Sequence, residues 1–174
     1  MTRKSILLFI AAKNFNEQEY LVSKFMLDKS LFKVFIASDA NSLCIGENGL
    51  KIKSDVSIFN IHPNNFEALV IIGGKGITNY WSDKNLLSII QKFHNLKKTI
   101  AAICDAPICL ANSGILINSK ATCFEGAKIQ LEKLGVKYVN LPVVQTGEII
   151  TAQNQNFTKD FIETVISRIN RTKI

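Results

Sequence analysis

The sequence is poor in several features that would mark a specialised class of protein. Only 3 prolines and 2 histidines occur among its 174 residues, and no apolar run approaches the roughly 18 residues needed to cross a bilayer. The first apolar run, residues 5–12, is interrupted by Lys13 and is too short for the apolar region of a secretory signal. Neither end carries a lipidation signal. These absences predict a folded, cytoplasmic protein with no membrane contact.

The cysteines lack the spacing of a metal site. All four lie in apolar segments without a Cys-x-x-Cys pair: Cys44, Cys104, Cys109 and Cys123. Such an arrangement indicates neither a zinc site nor the disulfide framework of a small secreted domain. We therefore predict reduced thiols, no metal and no bound cofactor.

The net charge of +7 is not concentrated in one place. The lysines are scattered along the whole chain, and no basic motif interleaved with aromatic residues accompanies them. A nucleic-acid-binding surface needs such a concentrated basic footprint. The charge therefore predicts no nucleic-acid partner.

Apolar runs alternate with amphipathic stretches along the chain, which predicts strands alternating with helices. Crossovers of this kind are right-handed and give a mainly parallel sheet with helices on both faces, a three-layer α/β/α sandwich. No repeat or linker divides the chain, so residues 1–174 are predicted to form a single domain. The predicted strands are 5–12, 32–37, 67–72, 98–103, 120–123 and a pair about residues 146–148, with a hairpin or edge excursion at 41–57, and the predicted helices are 17–28, 83–95, 106–111, 125–134 and 158–169.

One cysteine stands where a predicted strand meets a predicted helix, in Ala-Ala-Ile-Cys-Asp-Ala-Pro at residues 101–107. Small residues two positions before and after Cys104 fit a nucleophile elbow, a strained turn where bulk would collide with adjacent strands. The helix start directs amide N–H groups at the sulfur and favours its thiolate. The alternative is that Cys104 is a small buried hydrophobic residue. Asp105 opposes the thiolate unless its side chain points away, as it does if it caps the helix.

Two other predicted strand ends carry candidate groups near the same sheet edge. Gly73 and Gly74 let backbone amides approach a ligand, so the N–H groups of Gly74 and Asp105 form a candidate oxyanion hole; the alternative is a plain turn. Glu17 and Glu19 begin the first helix, where acidic residues also stabilise the helix dipole. We choose Glu19 as the candidate acid–base group, because burial raises a carboxyl pKa towards working pH.

Neither histidine neighbours the candidate cysteine in sequence. His62 precedes Pro63 in a predicted loop, and His94 lies near the end of a predicted helix, where a cation at the terminus is an ordinary structural feature. A cysteine–histidine pair requires one of them to approach Cys104 in space. The sequence leaves that open.

Four segments together resemble the ThiJ/PfpI family, which is related to class I glutamine amidotransferases. They are Ala-Leu-Val-Ile-Ile-Gly-Gly at 68–74, the elbow at 101–107, Ala-Thr-Cys-Phe-Glu-Gly at 121–126, and residues 137–151. The resemblance is closest to the branch that includes the parkinsonism-associated deglycase. It implies a flavodoxin-like sandwich, a homodimer, a reactive cysteine at Cys104, a partner glutamate at Glu19, and oxyanion amides at Gly74 and Asp105.

The resemblance also implies a range of activities, and departures from the family pattern narrow it. The peptidase-like branch has histidine after the cysteine, where this chain has Asp105, which disfavours an intracellular amidase or peptidase. The deglycase branch often has histidine at Phe124 and Ser-Arg-Gly-Pro-Gly where residues 152–156 read Ala-Gln-Asn-Gln-Asn. The resemblance favours a glyoxalase- or deglycase-like enzyme acting on small carbonyl compounds, in particular 2-oxoaldehydes or their adducts, in protection against oxidative stress. The alternative is a non-catalytic redox-sensing or chaperone-like protein in which Cys104 is oxidised.

Overall fold

The computed structural model describes residues 4–39 and 43–171, whose strands and helices alternate along much of the chain. The strands are β1 Ser5–Phe9, β2 Lys13–Phe15, β3 Lys33–Ser38, β4 Leu43–Gly46, β5 Lys51–Lys53, β6 Val56–Ser57, β7 Ala68–Ile71, β8 Thr99–Ile103, β9 Lys120–Ala121, β10 Lys137–Tyr138, β11 Val143–Thr146 and β12 Ile149–Ala152. The helices are α1 Glu17–Lys29, α2 Lys84–Asn95, α3 Pro107–Asn112, α4 Lys128–Lys133 and α5 Thr158–Arg171.

Seven strands form the central sheet, in the order β11-β12-β8-β7-β1-β3-β6. Every neighbouring pair is parallel except β11 with β12, which is an antiparallel hairpin. Helix α5 packs against α1 and the sheet, while α2 packs against β7, β8 and α3. The predicted α/β fold with a mainly parallel sheet is confirmed.

The central strands are apolar on both faces because helices cover them on both sides. All residues of β7 and β8 are buried, and β1 is buried from Ile6 onwards. The carboxyl ends of β1, β7 and β8 lead to the segments that hold Glu19, Gly73 and Cys104. The sheet therefore places all three candidate residues at one edge.

The predicted first strand is longer than the observed one. Residues 5–12 contribute only β1 to the central sheet, and the chain then forms β2, which pairs with β4 in a small second sheet with β5. The change of direction includes Asn14, whose φ of 57° is in the left-handed region. The hairpin predicted at 41–57 is found as β4 and β5, followed by the edge strand β6; residues 41 and 42 lie outside the described ranges.

Helix α1 begins at a side-chain cap that helps to place the candidate glutamate. The Asn16 side chain accepts a hydrogen bond from the Glu19 amide at 2.9 Å, as an Asn-x-x-Glu start allows.

Across residues 4–39 and 43–171, no helix is both long enough and apolar enough to span a membrane.

Candidate active site

Cys104 occupies the turn between β8 and α3 in a strained backbone conformation. Its φ is 63°, a region that costs a non-glycine residue about 1–2 kcal/mol. Two backbone hydrogen bonds hold it, from its amide to the Ala152 carbonyl at 3.0 Å and from the Phe124 amide to its carbonyl at 2.8 Å. The Trp81 indole donates to the Asp105 carbonyl at 2.9 Å. The geometry is that of a strand–turn–helix elbow.

Exposure distinguishes Cys104 from the other cysteines. Cys44, Cys109 and Cys123 are buried, whereas Cys104 is partly exposed. A thiol must be reachable to meet a substrate or an oxidant. Cys104 therefore meets the first condition for a reactive thiol, which is that a substrate or an oxidant can reach it.

Glu19 is fully buried against the glycine turn. Its Oε2 accepts a hydrogen bond from the Gly73 amide at 2.8 Å, while Oε1 has no hydrogen-bond partner among the described residues. Burial raises the pKa of Glu19 from 4.5 to about 8; the Gly73 N–H opposes the rise and the charge of Asp105 adds to it. Glu19 therefore retains its proton at neutral pH.

The glycine turn passes too close to its neighbours for any side chain. A Cβ on Gly73 would lie 2.6 Å from Cys104 Cβ and 2.9 Å from Glu19 Oε2, so the absence of a side chain at Gly73 leaves room for both residues to approach the turn. Gly74 has φ 106° and ψ 169°, a conformation nearly restricted to glycine. The amides of Gly74 and Asp105 both donate towards the Cys104 sulfur.

Replacing Gly74 with alanine is expected to destabilise the protein by at least about 3 kcal/mol, because it combines a forbidden φ with a steric clash. The added Cβ would lie 2.4 Å from the Asn16 amide nitrogen. Gly49→Ala is the matched control, since Gly49 has φ 93° but nothing within 4 Å of its added Cβ. Urea denaturation measures both losses, and equal losses would contradict the close approach at Gly74.

The thiol is less acidic than the sequence predicts. Burial, the Glu19 carboxyl and the Asp105 carboxyl raise the pKa of Cys104, in that order, and outweigh the lowering by the Gly74 and Asp105 amides. The elbow amides act on the pKa in the expected direction, but burial and the two carboxyl groups have the larger effect. Helix α3 has only six residues, so its dipole is too weak to offset two carboxyl groups.

Asp105 points at the thiol instead of capping α3. Cys104 Sγ lies 3.7 Å from Asp105 Oδ2, and the first residue outside the helix is Ala106, which makes no side-chain cap. Burial raises the pKa of Asp105. The carboxylate is therefore placed to accept the thiol proton.

The two histidines lie at the opposite edge of the sheet from Cys104. His62 precedes β7, and His94 lies in the last turn of α2, before β8. Lys98, at the start of β8, donates to carbonyls of the loop that follows His62. Because β8 separates this edge from Cys104 by about 16 Å, neither imidazole reaches the thiol.

Several residues that support the site were not predicted. Gln155 accepts a hydrogen bond from the Asn16 side chain at 2.6 Å and so links the loop after β12 to the start of α1. Glu47 accepts from the Lys75 amide at 2.9 Å, beside Gly74, and its charge raises the pKa of Glu19 and Asp105. The Asn-x-x-Glu spacing could have revealed Asn16, whereas no local pattern distinguishes Gln155 or Glu47.

Glu17, the other glutamate considered, has a structural role. Its Oε1 accepts hydrogen bonds from the amides of Asn48 at 2.7 Å and Leu50 at 2.9 Å, so it holds the turn between β4 and β5 in place.

Within the described part of the chain, no group of three or more His, Cys, Asp or Glu side chains is placed to hold a metal ion.

The fold and this site define an α/β protein with a cysteine at the turn after a central strand and a glutamic acid against the same turn. The sequence matches the DJ-1/PfpI family over residues 4–168. The chain belongs to that family, which confirms the resemblance drawn from its motifs.

Individual proteins and one crystal structure are also similar to this chain. An uncharacterized protein of Methanocaldococcus jannaschii is 31% identical over 174 residues, covering 98% of this chain and 85% of its own. A Pyrococcus horikoshii protein named a deglycase is 29% identical over 146 residues, covering 84% of this chain and 88% of its own. The crystal structure of a ThiJ/PfpI domain protein from Brachyspira murdochii superposes with a TM-score of 0.94 at 24% identity, covering 98% of this chain and 99% of that one, and it shows the same fold.

Proposed function

We propose that this protein is a cysteine-dependent, cofactor-independent enzyme that converts small 2-oxoaldehydes, or their adducts, to 2-hydroxy acids. The observation that carries the proposal is the convergence of the Cys104 thiol, the buried Glu19 carboxyl and the amides of Gly74 and Asp105 around one point. A nucleophile, a proton carrier and oxyanion donors are the parts that covalent carbonyl chemistry needs.

The first step forms a bond between sulfur and the aldehyde carbon. The thiol proton passes to Asp105 Oδ2, which lies 3.7 Å from Sγ, as the sulfur attacks. The carbonyl electron pair moves to oxygen, where the Gly74 and Asp105 amides stabilise the charge. Glu19 then gives its proton to this oxygen, which yields a thiohemiacetal and leaves Glu19 as a carboxylate.

The second step moves a hydrogen from the former aldehyde carbon to the neighbouring carbonyl carbon and needs no external oxidant. The Glu19 carboxylate takes the proton from the former aldehyde carbon, and the electrons form an enediol while the neighbouring carbonyl oxygen takes the proton held by Asp105. Glu19 returns its proton to the second carbon while the hydroxyl proton of the first passes to Asp105, giving a thioester. Water hydrolyses the thioester to the 2-hydroxy acid and the thiol, and the proton held by Asp105 returns to Glu19 through solvent.

The pKa of Glu19 suits this shuttle. An acid–base group is most effective when its pKa lies near the working pH, and that of Glu19 is about 8. The relative from Pyrococcus horikoshii carries the name deglycase, which supports carbonyl adducts as the substrate class. An amidase or peptidase is not supported, because neither histidine is near Cys104.

A redox-sensing role is the second candidate. Oxidation of Cys104 to a sulfinic acid places two oxygens where the Gly74 and Asp105 amides and the protonated Glu19 carboxyl donate. The raised pKa of the thiol slows this oxidation and the attack on a carbonyl alike, since the thiolate is the reactive form in both. The deglycase name of the Pyrococcus horikoshii relative favours the carbonyl-enzyme proposal.

The assembly and location remain predictions. The family resemblance implies a homodimer, each copy one domain over residues 1–174, acting in the cytoplasm without a bound cofactor. Light scattering coupled to gel filtration checks the dimer directly.

The proposed function predicts that the purified protein forms lactate from methylglyoxal without added metal or thiol. Enzymatic assay of lactate measures the product, and intact-mass analysis after dilute peroxide follows Cys104 in parallel. Absence of lactate together with addition of two oxygens at Cys104 would replace this proposal with the redox-sensor candidate.

A further inference from the structure

A polar cleft of about 300 Å³ lies beside the elbow. Its wall combines two aromatic rings, three carboxamides and one charge of each sign. The lining residues are Phe124, Glu125, Lys128, Tyr138, Asn140, Gln153 and Asn154. The volume is at the lower limit for small-molecule sites.

Backbone hydrogen bonds join the wall of the cleft to the elbow that holds Cys104. Phe124 donates its amide to the Cys104 carbonyl, and the Cys104 amide donates to Ala152, the residue before Gln153. The same loop continues to Gln155, which bonds to Asn16 at the start of the helix that holds Glu19. The wall of the cleft is therefore next to the elbow along the backbone and is connected to the start of the helix that holds Glu19.

The carboxamides are held in place with hydrogen-bonding groups to spare. Gln153 Nε2 donates to Asn140 Oδ1 at 2.7 Å and to the Tyr138 hydroxyl at 3.4 Å. Asn154 Oδ1 accepts from the Asn156 amide at 3.0 Å. Hydrogen bonds among the described residues do not use Gln153 Oε1, Asn140 Nδ2 or Asn154 Nδ2. These groups offer both donors and acceptors to a ligand.

The remaining wall favours a neutral ligand with a hydrocarbon skeleton. Phe124 is 43% exposed and offers an apolar ring face. Lys128 lies over the Tyr138 ring, with its Nζ 5.0 Å from the centroid, and Glu125 supplies an opposite charge. Paired carboxamide groups beside aromatic rings suit vicinal hydroxyl groups on a carbon chain, because each hydroxyl both donates and accepts.

We infer that this cleft binds the hydroxylated carbon chain of the substrate, so that the substrate class is the sugar-derived 2-oxoaldehydes and not methylglyoxal alone. The aldehyde carbon lies at Cys104, and the hydroxyl groups beyond the second carbonyl bond to Gln153 and Asn140. The inference rests on the proposed function and specifies its substrate.

The test compares two 2-oxoaldehydes that differ in the chain beyond the dicarbonyl: methylglyoxal, with a methyl group, and 3-deoxyglucosone, with a hydroxylated chain. Gln153→Leu and Asn140→Leu are expected to raise the KM for 3-deoxyglucosone about tenfold, the effect of losing one or two hydrogen bonds, and to change the KM for methylglyoxal by less than about twofold. Gln145→Leu is the control, because Gln145 is exposed on β11 and lies outside the cleft. A KM for 3-deoxyglucosone that stays within about twofold of wild type in both variants overturns the inference.

A binding measurement separates this inference from the proposed function. Erythritol has the hydroxyl groups but no carbonyl, and saturation-transfer NMR is expected to show its binding to wild type and to Gln145→Leu but not to Gln153→Leu. If the protein turns over neither aldehyde, the proposed function fails and the erythritol result alone decides whether the cleft is a polyol site. Absence of erythritol binding to wild type overturns the inference in every case.

Discussion

Replacing Cys104 with serine is expected to reduce kcat/KM for methylglyoxal by about a thousandfold or more. A serine hydroxyl is a far weaker nucleophile than a thiol, and neither histidine lies near enough to activate it. Asp105 accepts from Sγ, but a carboxylate is too weak a base for a hydroxyl. Lactate formation at saturating and limiting substrate measures the loss.

Cys123→Ala is the matched control for this substitution. Cys123 directly precedes Phe124, which lines the cleft, but its side chain is fully buried. Its replacement is therefore expected to leave kcat/KM within about twofold of wild type. Turnover that persists in Cys104→Ser would show that the reaction does not require the thiol. Intact-mass analysis of both variants after peroxide then shows whether Cys104 is nonetheless the oxidised residue, as the redox-sensing candidate requires.

The sequence predicted the parts of the fold that depend on local pattern. Strands β7 and β8 are continuous apolar runs because both of their faces are covered. The elbow was visible for a related reason, since a turn packed between strands admits only small residues beside Cys104. Gly74 was also foreseeable as a close approach, because φ 106° needs glycine.

Other features depend on contacts between distant segments and could not be predicted. The residue type of Asp105 was known, but its orientation towards Sγ, and with it the raised pKa of Cys104, depends on packing around the turn. The cleft joins Tyr138 and Asn140 to Gln153 through side-chain hydrogen bonds that form only after folding. Glu47 reaches the glycine turn because β4 pairs with β2, a pairing with no local signal.

Replacing Glu19 with glutamine is expected to lower kcat/KM for methylglyoxal by about a hundredfold to ten-thousandfold, the usual contribution of a positioned acid–base group. Glutamine keeps an oxygen that accepts the Gly73 N–H, which Glu19 Oε2 accepts at 2.8 Å, but it cannot exchange a proton. Glu17→Gln is the control. Glutamine keeps an oxygen that accepts the hydrogen bonds from the Asn48 and Leu50 amides, so activity is expected to stay within about twofold of wild type. Equal losses in both variants would contradict a proton-transfer role.

The same variant tests the burial of Glu19 independently of activity, through the pH dependence of stability. The pKa of Glu19 is about 8 in the folded protein, compared with 4.5 when exposed, so between these values the folded chain holds a proton that the unfolded chain has lost. Stability then falls as pH rises through this window, by up to about 1.4 kcal/mol per pH unit. Glutamine cannot ionise, so Glu19→Gln is expected to match wild type near pH 5 and to exceed it at pH 8 in urea denaturation. Parallel stability profiles for the two proteins would mean that Glu19 ionises normally, and the proton shuttle would lose its basis.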